Sequence, residues 1–387
     1  MTPTPFVPPT YPFDRLDPLL AAARALPGGA VDLSIGTPCD PPPPAVLDAL
    51  VHSGSERGYP SAVGSRPLLD AARGWMDRRF GVALAAGEVA ACVGTKELVA
   101  GLPHWLRLRQ PERDVVLYPA VSYPTYAMGA ALAGARAVPV PLDENGRLLL
   151  DAISPQDAAS ALCLWVNSPS NPTGALDDLA AIAAWGRRSG VLVCSDECYA
   201  EFTWADRPRT ILEHGLAGVL AVHSISKRSN AAGLRCGFYA GDPEIVFYLA
   251  ELRRHAGFMV PGPVQAAAAA ALADDAHVED QRGRYLRRLE RLVEILAAIG
   301  VKAELPGGGF YLWVSAEAAG DVVVRLAPGA PGDESAGWAL TRALSTSAGA
   351  LVSPGEFYAP ATTGYVRIAA VQPDERLELV AQRLGVA

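Results

Sequence analysis

Lys227 lies in SISKRSN, residues 224–230, of a chain that holds thirty arginines and three lysines. Arginine and lysine serve about equally well as solvated charges, but only an ammonium gives up its proton readily enough to attack a carbonyl. A lysine kept beside small serines is therefore either a surface cation or a Schiff-base lysine, and the second reading makes demands that the rest of the sequence can meet. Of the other two lysines, Lys302 in GVKAELPGG reads as a surface charge. The six histidines show no ligand spacing, and His223 reads as a packed neighbour of Ser224. Six cysteines are scattered, with no His or Cys cluster to complete a metal site beside Cys194 and Cys198, so no metal is expected.

The common carbonyl cofactor for such a lysine is pyridoxal phosphate, and its site has definite physical needs. A buried carboxylate must keep the pyridine nitrogen protonated; Asp196, ending the apolar run VLVCSD, is the candidate. The phosphate needs backbone donors at a helix start, hydroxyls and a guanidinium. Gly94, Thr95 and Lys96 sit where a strand-like run meets a helical one, and Ser224, Ser226 and Arg235 flank Lys227. Tyr123 suits the ring face, while Asn171 and Tyr199 suit the ring oxygen. Arg367, in YVRIA, offers a two-pronged grip on a substrate carboxylate.

These residues fall at the ends of predicted elements. The runs 31–35, 114–119, 161–167, 191–197 and 220–226 read as buried strands ending at polar residues. Helical patterns lie between them at about 66–80, 95–109, 125–134 and 177–189. That alternation predicts an α/β domain with a mostly parallel sheet covered by helices. Ligands of such sheets sit beyond the carboxyl ends of the strands. After Pro261 the pattern changes: a long Arg-rich helix over 277–298, FYLWV, a helix near 334–346, ALVSPG and YVRIA predict a smaller α+β domain. The expected division is residues 1–44 with the small domain, 45–265 as the large cofactor-binding domain and 266–387 as the small C-terminal domain.

Half the residues are hydrophobic, and the formal net charge is −8 without a basic run, which argues against a nucleic-acid partner. The N-terminal stretch lacks the pattern of a secretory signal, and the alanine-rich run near 266–273 is too short to span a bilayer. Scattered cysteines fit a reducing cytoplasm.

Taken in order, GTKE (94–97), SYPTY (122–126), NSPSNPTG (167–174), SDECY (195–199), SISK (224–227), Arg235 and VRIA (366–369) resemble class I/II aminotransferases of the fold-type I pyridoxal phosphate superfamily. The resemblance covers nearly the whole chain. It implies amino-acid and 2-oxo-acid substrates, Lys227 as the Schiff-base lysine and proton shuttle, and Asp196 on the pyridinium. Asn171 and Tyr199 would contact the ring oxygen and Tyr123 the ring face. Ser224, Ser226, Arg235 and the Gly94–Thr95–Lys96 region would hold the phosphate. Arg367, with Gly36 near it, would hold the substrate carboxylate. Tyr59 resembles the tyrosine that reaches a partner subunit's phosphate, which implies a homodimer.

A narrower resemblance, carried by residues 13–43, SKRSNAAGLRCGFYAGD and RRHAGFMVPGPVQAA, is to succinyldiaminopimelate aminotransferases of lysine and cell-wall precursor synthesis. It implies N-succinyl-LL-2,6-diaminopimelate and 2-oxoglutarate as partners in a ping-pong transamination. The alternatives are an aminotransferase of aspartate, aromatic or LL-diaminopimelate type, and a pyridoxal phosphate β-lyase. Thr95 stands where serine is commoner, Ala231, Ala232 and Cys236 depart from that pattern, and GGGF (307–310) is glycine-rich enough to loosen a loop. Arg228 either grips an acidic substrate tail or pairs with a nearby carboxylate. A cofactor-sensing regulator would carry a DNA-binding domain ahead of the fold, whereas here the fold's first segment is expected near Tyr11. A dinucleotide-dependent dehydrogenase fails for want of a Gly-rich turn between strand and helix.

Overall fold

The computed structural model describes residues 5–328 and 333–386, which form two compact units. One comprises Met1–Gly36, Arg291–Glu304 and Trp313–Ala387; the other comprises Thr37–Glu290 and Leu305–Leu312.

The second unit is built on a seven-stranded sheet. Its order is Val89–Cys92, Gly237–Gly241, Val219–Ser224, Leu192–Asp196, Ala161–Asn167, Val115–Pro119 and Arg136–Val140. Gly237–Gly241 is antiparallel to both neighbours, and all other pairs are parallel. Successive side chains on a strand point to opposite faces. Leu164, Val166, Val193 and Ala221 therefore join Trp75, Met76 and Ala267 in one core, on the helices Arg66–Phe80 and Gly262–Ala273. Cys163, Trp165, Cys194 and Val222 join Leu98, Leu102 and Leu249 in the other, on Thr95–Arg109 and Pro243–Ala256. With helices on both faces, the strands read as continuous apolar runs, and the doubly covered α/β expectation holds. The helices are punctuated locally. The Ser65 hydroxyl caps Arg66–Phe80 by accepting from the Leu68 N–H, and Gly81, at φ 69°, closes that helix in the left-handed region.

The other unit holds a short parallel pair, Val31–Asp32 with Ala350–Leu351, and an antiparallel pair, Ser353–Pro354 with Tyr365–Ala369. The helices Asp17–Arg24, Ala336–Ala348 and Asp374–Leu384 belong to it. Among the described residues, no helix is long and apolar enough to cross a membrane.

Several elements differ from the sequence reading. The run 31–35 forms only a two-residue strand, and its partner is Ala350–Leu351 rather than a strand of the large sheet. Two sheet strands carry no clear pattern, and a third was expected only as the strand-like run before Gly94. Arg136–Val140 is an edge strand that tolerates Pro139, and Gly237–Gly241 begins and ends in glycine. Val89–Cys92 is only four residues long. The expected limits at 44 and 265 lie inside the second unit, because Pro44–Val51 and Gly262–Ala273 pack on each other and on its core.

Candidate active site

Strand register gathers the chemistry at one edge of the large sheet. Asn167 pairs in register with Asp196, and Asp196 with Val222 two residues before Ser224, so three neighbouring strands end together. The antiparallel strand completes the edge. Gly237, its first residue, lies opposite both Ser224 and Cys92. Arg235, two residues earlier, is thereby delivered to the edge from which Gly94 and Lys227 also emerge.

Lys227 sits on the single turn Ile225–Arg228. The Ser224 hydroxyl caps that turn, accepting from Ser226 N–H at 3.0 Å and donating to the Ser226 hydroxyl at 2.8 Å. Lys227 is half-buried, with Nζ 5.9 Å from the centre of the Phe310 ring. The residues after it are anchored beneath. Arg228 is 3% exposed and lies 3.5 Å from the Glu201 carboxylate, which also accepts from Trp75 Nε1 at 2.7 Å and from Arg79. Of the two readings of Arg228, pairing with a carboxylate is the one the structure adopts. Ser229 meets His277 at 2.9 Å, and Asn230, at φ 52°, is held by Gln281 and Tyr285. SKRSN is thus a clamp that fixes the lysine turn.

Asp196 receives one donor on each oxygen: Tyr126 Oη at 2.9 Å and the Cys198 N–H at 3.2 Å. Burial pushes its pKa up, while those groups and the Lys227 charge pull it down, and the net direction is upward. A cation beside this carboxylate would restore its ionisation. Asn167 donates to the Asp196 carbonyl at 2.8 Å and accepts from the Asn171 N–H at 2.7 Å, tying the NPTG loop to the same strand end. Tyr126 and Asn167 lie inside the motifs SYPTY and NSPSNPTG, and neither was expected to bond to residue 196. Tyr126 stacks on Trp165, which sets its hydroxyl toward Asp196.

Tyr199 is buried, and its hydroxyl lies 3.0 Å from that of Tyr311. Tyr311 was not a sequence candidate. It follows the glycine run, which is packed rather than loose. Gly308 N–H donates to the Gly174 carbonyl at 3.0 Å, and Gly309 N–H to the Phe202 carbonyl at 2.8 Å. A Cβ on Gly308 would stand 2.7 Å from Pro169 Cβ, so only glycine fits there. The expectation of a loosened loop is therefore corrected: the glycines permit close backbone contact. Tyr123 is half-buried, with Lys96 Nζ 5.6 Å from its ring centre.

Gly94, at φ 75°, precedes the Thr95–Arg109 helix, whose first N–H groups lack intrahelical partners. A Cβ on Gly94 would fall 2.7 Å from the Arg235 guanidinium carbon. Thr95 Oγ1 accepts from Cys198 Sγ at 3.3 Å. A helix start, a guanidinium beside Gly94 and the Thr95 and Ser226 hydroxyls lie at one sheet edge, the donor types that an anion needs, with a buried carboxylate at the adjoining strand end. This donor set fits a phosphorylated pyridine aldehyde, with Lys227 on the same turn as Ser226.

Arg367 and Gly36 belong to the first unit. Arg367 is 2% exposed, donates to the Ser34 carbonyl, and has its guanidinium carbon 4.9 Å from the Tyr358 ring centre. Gly36 is buried, two residues after Ser34. Tyr59 is 98% exposed in the second unit.

Residues 29–384 match the family model of aminotransferase class I and II. A probable aminotransferase of Mycobacterium tuberculosis is 40% identical over 385 residues, covering 97% of this chain and 85% of that protein. The 4-dedimethylamino-4-oxo-anhydrotetracycline transaminase of Streptomyces rimosus is 40% identical over 387 residues, covering 97% of this chain and 99% of its own. The solved N-succinyldiaminopimelate aminotransferase of Mycobacterium tuberculosis superposes with a TM-score of 0.84 at 27% identity, over 97% of each chain. With the sheet-edge site already in place, this chain belongs to the class I and II aminotransferases and is a pyridoxal phosphate-dependent transaminase.

Proposed function

We propose that this transaminase moves an amino group between N-succinyl-LL-2,6-diaminopimelate and 2-oxoglutarate, as a cytoplasmic step of diaminopimelate and lysine synthesis. The observation that carries the reading is the anchored SKRSN turn, whose sequence resembles that subfamily. The likeness to the solved N-succinyldiaminopimelate aminotransferase supports it.

In this reading, the bound cofactor supplies an aldehyde that carries the amino group and a ring that accepts electrons. Lys227 Nζ would hold the cofactor's aldehyde at rest and, as a neutral amine once the amino donor is bound, would carry the proton of the substrate's α-carbon. Asp196 keeps the ring nitrogen protonated. Asn171 and Tyr199 donate to the ring oxygen, and Tyr123 covers a ring face. Gly94, Thr95, Lys96, Ser224, Ser226 and Arg235 hold the phosphate. Arg367, in the neighbourhood of Gly36, grips the substrate carboxylate through its planar fork. The chain forms a homodimer in which exposed Tyr59 reaches the partner's phosphate. Because the first oxo acid would leave before the second binds, with the amino group held on the enzyme in between, the kinetics are ping-pong.

The test is the visible spectrum of the purified holoenzyme. N-succinyl-LL-2,6-diaminopimelate should bleach it, and 2-oxoglutarate should restore it. Lys227→Ala should abolish turnover and leave the fold intact. Bleaching by glutamate but not by the succinyl compound would discard the pathway and keep the transaminase. A second reading, amination of a bulky polycyclic ketone, is favoured by the 40% identity to the tetracycline-pathway transaminase over 99% of its length. Under it, the glutamate-loaded enzyme recovers its colour with a polycyclic ketone and not with the keto form of the succinyl compound.

A further inference from the structure

We propose that Tyr311 is a positioning residue of the reaction: its hydroxyl donates to Tyr199 Oη and thereby strengthens the hydrogen bond that Tyr199 gives to the cofactor's ring oxygen. This rests on the role of Tyr199 set out above. The two hydroxyl oxygens are 3.0 Å apart. Tyr199 is 7% exposed and Tyr311 2%. A phenol has one proton to give. If Tyr199 spends its proton on the ring oxygen, the hydrogen bond between the tyrosines must run from Tyr311 to Tyr199. In a buried chain of donors, each bond polarises the next.

The surroundings fix Tyr311 rather than merely tolerate it. The two tyrosine rings meet edge to face at 5.6 Å, and Phe310 packs on both. The backbone just before Phe310 is tied to Phe202 and Gly174 through Gly309 and Gly308. Gly174 ends the NPTG loop that carries Asn171, the other donor assigned to the ring oxygen. One segment, residues 307–311, thus braces both ring-oxygen ligands. Lys227 and Tyr285 both reach Phe310, which packs on the two tyrosines, and Asp196, Glu197, Cys198 and Glu201 flank Tyr199 in sequence.

The experiment is a pH titration of the cofactor's visible absorbance in the holoenzyme, for wild type, Tyr311→Phe, Tyr199→Phe and the double variant. Donation to the ring oxygen favours its anionic form, so weakening that bond raises the pH at which the chromophore at Lys227 loses its proton. Tyr311→Phe keeps the ring and its packing and removes only the hydroxyl. It should raise the midpoint by about half a pH unit to one pH unit. Tyr199→Phe should raise it further. The double variant should match Tyr199→Phe, because a residue acting through Tyr199 has nothing left to act on. A shift from Tyr199→Phe with none from Tyr311→Phe, or shifts that add in the double variant, would overturn this proposal alone. No shift from Tyr199→Phe would overturn both this proposal and the role of Tyr199. A merely structural Tyr311 would lower the melting temperature without moving the midpoint.

Discussion

Gly94 stands so close to Arg235 that the guanidinium carbon lies 2.7 Å from where a Cβ on Gly94 would be. Its φ of 75° is also one that other residues adopt at a cost. Gly94→Ala should therefore displace the guanidinium and weaken cofactor binding at least about tenfold, a change worth roughly 1.4 kcal/mol. Gly81→Ala is the control. Gly81 has a similar φ of 69°, but nothing lies within 4 Å of its Cβ position. It should lower stability by about 1 kcal/mol and leave cofactor affinity unchanged. Absorbance titration of the apoenzyme with pyridoxal phosphate reads both; equal affinities for the two variants would leave Arg235 without its assigned role.

Asp196 is held at some cost to the fold. Its pKa is raised above its ordinary 3.8, chiefly by burial. A raised carboxyl contributes stability below its unfolded pKa and loses it as pH rises through its folded value. The ionised carboxylate therefore destabilises the apoenzyme at neutral pH. Asp196→Asn should raise the apoenzyme's melting temperature at pH 8, with the gain fading toward pH 4. The same change should lower turnover about a hundredfold or more. Melting and turnover should thus move in opposite senses. An apoenzyme melting curve identical at pH 8, or turnover near wild type, would break the link.

The parts of this site that were legible share one property: their signal is local. ALCLWVN and VLVCSD announce strands because an apolar run stops at a polar residue, and both strands are found there, ending at Asn167 and Asp196. Gly237–Gly241 was silent, since its terminal glycines read as turns. They are glycines because a Cβ at Gly237 would press on the His223 carbonyl of the neighbouring strand. Tyr311 and Arg228 were opaque for another reason. What they do depends on partners far along the chain: Tyr199 lies 112 residues from Tyr311, and Arg228 needs Glu201 and Asp275 together. Pattern can place such residues on an element; only the assembled sheet supplies their partners.

Glu197 and His223 form a buried pair 3.3 Å apart, Glu197 just after Asp196 and His223 just before Ser224 in sequence. Burial pushes Glu197 up to about 7 from 4.5 and His223 down to about 3 from 6.5. Glu197 alone would make stability fall as pH rises from about 4.5 to 7. His223 alone would make it rise from about 3 to 6.5. The two slopes oppose each other where the windows overlap. Glu197→Gln keeps an oxygen for the Ile211 N–H and removes the first slope. The variant should exceed wild type at pH 8, by on the order of 2 kcal/mol, and should lose stability more steeply between pH 6.5 and 5. Urea melts at these pH values decide it; parallel curves for the two proteins would show that Glu197 does not hold its proton in the fold.

Arg228 is adjacent to Lys227, yet it is clamped from below by Glu201, Asp275 and the Ala271 carbonyl. Removing a buried guanidinium from such a set leaves carboxylates short of a partner, a loss of about 3–5 kcal/mol. Arg228→Ala should therefore lower the unfolding free energy by that order. Arg228→Met, which fills more of the volume, should lose less. In both, KM for the succinylated donor should stay in its wild-type ratio to KM for glutamate, because Arg228 acts on the turn and not on the substrate's far end. Urea melts and steady-state kinetics with the two donors separate these effects. A folded Arg228→Met enzyme with KM raised about tenfold for the succinylated donor alone, or 1.4 kcal/mol of selective binding, would make Arg228 a substrate residue. It would move the specificity of this transaminase to the residue beside its lysine.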